Sequence, residues 1–168
     1  MEYKLATSTW DDLEINAIQD VIKTDKFSMG PKVEEFERQF AQFFGSKYAV
    51  MCSSGSTANL LMTASLFFSK KPKLKAGDEI IVPAVSWSTT YFPLQQYGLK
   101  LKFVDIDLNT LNYNLVDLES AVSSKTKAIM VVNLLGNSND FNKINNIIAN
   151  RDIAVIEDNC ESMGAKFD

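Results

Sequence analysis

The sequence predicts an α/β protein with a mostly parallel sheet covered by helices on both faces, giving three layers in the order α/β/α. Two observations carry this reading. Short apolar runs alternate with segments of helical period from Tyr48 onward, and small polar residues follow three of those runs, at Ser54–Thr57, Ser86–Thr89 and Asp158–Glu161. Strands joined by helices pair in parallel and bury both faces. Ligands in such sheets bind beyond the carboxyl ends of the strands, where all three polar groups fall.

The elements follow in chain order. Thr9-Trp10-Asp11-Asp12 reads as a helix start, with Leu13, Ile15, Ala17, Ile18, Val21 and Ile22 at roughly helical spacing. Phe27 to Pro31 is a turn, and Pro31 suits the first turn of a second helix. Val33, Phe36, Phe40 and Phe43 form an apolar stripe that reads as packing, closed by Gly45. Tyr48-Ala49-Val50-Met51 reads as a strand, followed by the turn Cys52 to Thr57 and a helix from Ala58. Lys70 to Lys75 is a solvated loop. Glu79 to Val82 is a strand closed by Pro83, and Ala84 to Thr90 leads into a helix through Gln95. A strand at Leu101–Val104, a helix at Leu115–Val122, a strand at Ala128–Asn133, a helix at Phe141–Ala149 and a strand at Ile153–Ile156 complete the pattern.

Composition narrows the chemistry. At 168 residues and 46% hydrophobic content the chain can bury one sizeable core. Net charge is -4 with both signs mixed, so no basic stripe for nucleic acid is formed. No apolar run reaches membrane-spanning length and no signal-peptide pattern opens the chain. Cys52 and Cys160 lie beside apolar runs and read as thiols of a reducing compartment, which points to the cytoplasm. The chain has no histidine, which excludes a histidine-based triad or a histidine-containing zinc site within it.

The polar groups at the strand ends are the candidate site. A strand, a small-residue turn and a helix place backbone N–H groups and a positive helix end at one point, an arrangement suited to an anion. Gly55 permits a sharp turn or close approach of a ligand, and Ser54, Ser56 and Thr57 supply hydroxyls that cap a helix or hold phosphate oxygens. Asp158, at the end of an apolar run, needs a cationic or hydrogen-bonding partner. It either caps the following helix or pairs with a protonated heteroaromatic nitrogen. Trp87 either stacks on a planar ring or plugs a loop against the core. Glu161 reads equally as a supporting acid or a solvated turn residue. Asp105 and Asp107 resemble a paired-carboxylate site, but their spacing suits capping and no third metal ligand is evident.

An ordered set of segments resembles the amino-terminal part of the sugar-nucleotide aminotransferase and dehydratase family (DegT/DnrJ/EryC1/StrS type), pyridoxal-phosphate enzymes of the aspartate aminotransferase fold. The segments are FSMGPKVEEFERQFAQFFG at 27–45, SSGSTAN at 53–59, LKAGDEIIVPAVSWSTT at 74–90, FVDID at 103–107, TKAIMVVNLLGN at 126–137 and IEDNCESMGA at 156–165. The resemblance implies residues 1–30 as an amino-terminal helical segment and 31–168 as an incomplete cofactor-binding large domain of fold-type I. It implies that Ser54, Gly55, Ser56 and Thr57 cradle the cofactor phosphate, that Trp87 stacks on the pyridine ring and that Asp158 pairs with its nitrogen. Glu161 stands where most aminotransferases of the family have a glutamine near the cofactor hydroxyl, and Asn133 where many have a histidine.

Trp87 in WSTT, with LLGN and EDNCES, is closer to the branch that removes the 3-hydroxyl of a nucleotide-linked 4-keto-6-deoxyhexose with pyridoxamine phosphate. The resemblance therefore implies a 3-dehydratase of deoxysugar or lipopolysaccharide O-antigen biosynthesis. A sugar-nucleotide aminotransferase using glutamate as amino donor is the alternative, and an inactive α/β fragment or scaffold is another. The catalytic lysine or histidine of the family is expected downstream of Asp168, so this chain alone is expected to be inactive. A homodimer is implied, and an isolated chain is expected to expose a sheet edge and associate.

Overall fold

The structure, a computed structural model, describes residues 7–167. The chain divides into two compact units, one ending at Met51 and the other beginning at Cys52. The first six residues of the expected 1–30 segment, and Asp168, lie outside the described residues.

The first unit holds two helices. Helix α1 (Asp12–Lys23) opens with a capping box in which Asp11 accepts from Leu13 N and Glu14 reaches back to the Asp11 N–H at 2.8 Å. Helix α2 (Pro31–Phe44) starts with proline in its first turn and ends on Gly45, whose φ of 65° is the left-handed conformation that closes helices. The aromatic stripe of α2 does not pack as expected. Phe36 and Phe43 are exposed, and Phe40 stacks on Phe36 and Phe44 along the same helix. Helix α1 buries none of its residues and α2 buries only Ala41. Amphipathic period fixes which face of a helix is apolar, but burial needs an opposing surface.

The second unit is the α/β layer structure. Helix α3 (Gly55–Phe68) leads to strand β1 (Glu79–Pro83), helix α4 (Ser88–Gln96) and strand β2 (Lys100–Val104). Helix α5 (Leu115–Ala121), strand β3 (Thr126–Val132), helix α6 (Phe141–Ile148) and strand β4 (Ala154–Asp158) follow. The four strands pair in parallel in the order β2-β1-β3-β4. Successive residues point to opposite faces. Ile80, Val82, Ala128 and Met130 therefore enter one core with Leu94 and Leu99, while Ile81, Ile129 and Val131 enter a second with Leu118 and Ile144. This is the three-layer parallel architecture expected from the alternation of elements.

Two local readings differ. Tyr48–Met51 forms no strand: Tyr48 and Val50 are exposed, and the Met51 N–H is satisfied by Glu37 Oε1 at 2.7 Å. Hydropathy marks a segment that can pair, but a strand exists only where a neighbour supplies the ladder. Helix α3 begins at Gly55, three residues before Ala58, because Ser54 and Thr57 form its capping box. Among the described residues no helix is long and apolar enough to cross a membrane.

Candidate functional site at the carboxyl end of the sheet

The loop after β1 and the residues after β4 lie at the carboxyl end of the sheet, and the amino terminus of α3 is tied to them through Asn59. Ser54 accepts from Thr57 N at 3.2 Å, and Ser54 N donates to Thr57 Oγ1 at 3.0 Å. The N–H groups of Gly55 and Ser56 find no acceptor among the described residues. They therefore remain available to an anion at the positive end of a fourteen-residue helix. Gly55 has no left-handed φ, and a Cβ there would meet nothing within 4 Å. A sharp turn is therefore not why glycine stands here.

Asp158 closes β4 and is buried, with 7% of its surface exposed. Asn59 Nδ2 donates to its Oδ2 at 2.8 Å and Thr90 Oγ1 donates to the same oxygen at 3.0 Å. Cys160 N donates to Oδ1 at 3.2 Å. No lysine or arginine pairs with Asp158 among the described residues. Two donors thus reach Oδ2 and one reaches Oδ1, and the Cys160 side chain also lies against the carboxylate. Cys160 is exposed as a residue, but partial desolvation of its thiol, then the Asp158 charge, pushes that thiol up to about 11, which keeps it protonated.

Trp87 is the N-cap of α4 and is 73% exposed, so it does not plug a loop against the core. Glu161 Oε2 accepts from Leu135 N at 2.6 Å, while its Oε1 has no partner among the described residues. That bond holds the turn after β3 at Leu135, whose φ of 54° is left-handed although it is not glycine. Asn133 is buried and donates to Glu157 Oε1 at 2.7 Å and Asn159 Oδ1 at 2.8 Å, the two residues flanking Asp158. Asp105 and Asp107 accept from the nearby N–H groups of Ile106 and Asn109, which is turn chemistry.

Asn59 and Thr90 are the site residues that sequence reasoning left unassigned. Their signal was present: Asn59 is an amide on an otherwise apolar stretch of α3, and buried polar groups require partners. Pro93 adds a second cause. Proline inside α4 cannot donate to Thr89 O, and Asn59 Nδ2 occupies that carbonyl at 3.4 Å. In the first unit, a cleft of about 840 Å³ is mainly apolar, lined by Val21, Phe27, Met29, Val33 and Met51, with Asp20, Thr24, Lys26, Ser28 and Lys32 also on its walls.

The donors fit a planar, phosphate-bearing heteroaromatic group: free helix N–H groups for an anion, an exposed indole for a ring, and a buried carboxylate lacking a cation. Fold and site together define a parallel α/β protein with buried and exposed polar groups gathered at the carboxyl edge of its sheet. The chain belongs to the DegT/DnrJ/EryC1/StrS aminotransferase family, whose model matches residues 9–168. It is 68% identical over 167 residues to the GDP-4-keto-6-deoxy-D-mannose 3-dehydratase of Escherichia coli O55:H7, covering 99% of this chain and 43% of that protein. A solved structure of the E. coli GDP-4-keto-6-deoxy-D-mannose-3-dehydratase with bound hydrated PLP superposes with a TM-score of 0.97 at 68% identity, over 99% of this chain and 43% of the other. A crystal structure of GDP-4-keto-6-deoxymannose-3-dehydratase with a trapped PLP-glutamate geminal diamine matches with the same TM-score of 0.97, identity of 68% and coverage of 99% and 43%. The chain thus spans less than half the length of these relatives.

Proposed function

We propose that this chain supplies the cofactor floor of a pyridoxal- or pyridoxamine-5'-phosphate-dependent 3-dehydratase acting on a nucleotide-linked 4-keto-6-deoxyhexose. The observation that carries the reading is the buried Asp158 carboxylate, with neutral donors on both oxygens and no cation among the described residues. A protonated ring nitrogen is the partner such a group lacks. When bound, the cofactor supplies an electron sink for bond cleavage beside a carbonyl-derived carbon.

The chain's own residues have distinct tasks in this reading. The N–H groups of Gly55 and Ser56, with the hydroxyls of Ser54 and Thr57, bind the phosphate. Trp87 stacks on the ring and Asp158 holds the ring nitrogen protonated. Glu161 presents Oε1 to the ring hydroxyl while Oε2 secures the Leu135 turn. Residues 31–168 act as part of the cofactor-binding large domain. The catalytic lysine or histidine belongs to sequence beyond this chain, and turnover to the longer protein. The work is cytoplasmic and the assembly a homodimer, with glutamate as amino donor to the cofactor. The substrate assignment rests on the 68% identity to the E. coli 3-dehydratase.

Family membership also favours a second reading, aminotransfer to a keto sugar. Product analysis of the longer protein separates the two, since dehydration removes the 3-hydroxyl and aminotransfer adds an amine. The first test is a titration of the chain with pyridoxal phosphate and pyridoxamine phosphate, read by absorbance and calorimetry. Saturable binding weakened by both Asp158→Asn and Trp87→Ala is expected. Absence of binding at millimolar cofactor overturns the cofactor-floor reading of this chain.

A further inference from the structure

We infer that Thr90 is a positioning residue that ties the ring-stacking Trp87 to the nitrogen-pairing Asp158, an inference that rests on the cofactor reading above. Thr90 is 1% exposed and serves both groups at once. Its backbone N–H donates to Trp87 O at 3.0 Å, and its hydroxyl donates to Asp158 Oδ2 at 3.0 Å.

The direction of the hydroxyl bonds follows from proton count. An ionised carboxylate only accepts, so the single Thr90 hydroxyl proton goes to Asp158. Ser86 Oγ lies 2.9 Å from Thr90 Oγ1 and must therefore donate to it. Ser86, Thr90 and Asp158 form a one-way chain of hydrogen bonds, in which each bond polarises the next. Asn59 adds the second donor on Oδ2 and, through Thr89 O, holds the first turn of α4. The loop carrying Trp87 and the strand end carrying Asp158 thus share one buried hydroxyl.

Removal of that hydroxyl has a consequence beyond packing. With one donor fewer, negative charge concentrates on the Asp158 carboxylate, which then draws the shared proton off a bound ring nitrogen. A residue that only fills space does not alter that proton.

The test uses pyridoxal phosphate labelled with ¹⁵N at the ring, bound to the wild-type chain and to Thr90→Val, Thr90→Ser and Ser86→Ala. Affinity is read by calorimetry, protonation by the ¹⁵N resonance and folding by near-ultraviolet circular dichroism. Thr90→Val is expected to weaken binding about tenfold and to move the resonance toward the unprotonated pyridine position. Thr90→Ser is expected to match wild type, and Ser86→Ala to shift the resonance the same way by a smaller amount. Should Thr90→Val fail to fold, Ser86→Ala and Thr90→Ser decide the matter, since neither strips a donor from the buried carboxylate. Unchanged resonance and affinity in every folded hydroxyl-deleted variant overturn the inference, as does Thr90→Ser behaving like a deletion. A wild-type chain that binds no cofactor overturns the cofactor reading itself, and this inference with it.

Discussion

Asn59 Nδ2 donates to Asp158 Oδ2 at 2.8 Å across 99 residues of sequence, joining the first turns of α3 to the end of β4. Both side chains are buried, so the bond replaces water at each end. It ties the helix whose amino terminus offers free N–H groups to the carboxylate that stands at the sheet's carboxyl edge. Local elements far apart in the chain thereby become one site.

Asn59→Ala leaves a buried carboxylate with one donor fewer and opens a cavity at the foot of α3. Loss of a partner to a buried charged group costs about 2 kcal/mol. Urea unfolding is therefore expected to show a lowered midpoint at unchanged slope, with a change below about 0.5 kcal/mol counting against this role for Asn59.

The turn after β3 stores strain that Glu161 restrains. Leu135 has a left-handed φ and an exposed side chain that gains little from burial. Leu135→Gly is expected to stabilise the chain by about 0.5–1 kcal/mol, the left-handed penalty less the extra freedom of glycine in the unfolded chain. Glu161→Ala removes the acceptor of Leu135 N–H. Faster hydrogen exchange confined to Leu135 and its neighbours is the expected result, and unchanged protection there contradicts the restraint.

Cys160 makes stability fall on the alkaline side. Partial desolvation of the thiol on this otherwise exposed residue, reinforced by Asp158, raises it from 9.0 to about 11 in the folded chain. The folded state then holds the proton more tightly than the unfolded state. The stabilisation is fully present below the unfolded value and is lost as pH rises through the folded one. Denaturation midpoints measured from pH 8 to about 11 are expected to decline, and Cys160→Ser to flatten part of that decline. Identical pH profiles for the two proteins disprove the contribution.

Much of the architecture is legible in the amino-acid order. Apolar runs at Ile80–Val82 and Ala128–Val132 carry the period and length of buried strands, and the helical segments between them require parallel crossovers. Trp87 after β1 and Asp158 at the end of β4 follow from that alternation, whereas Ser54–Thr57 stands at a helix start with no strand before it among the described residues. Tyr48–Met51 forms no strand, because apolar content is local while ladder pairing depends on a neighbouring strand.

What the amino-acid order determined by itself was periodicity, and with it the α/β class, the faces that become core and the end of the sheet where polar residues gather. Only tertiary structure decided the strand order β2-β1-β3-β4 and the meeting of Asn59 and Thr90 on one oxygen of Asp158. The physical reason is range. Propensity and capping act over one or two turns of chain, whereas a buried carboxylate selects its donors from whichever residues packing brings within about 3 Å.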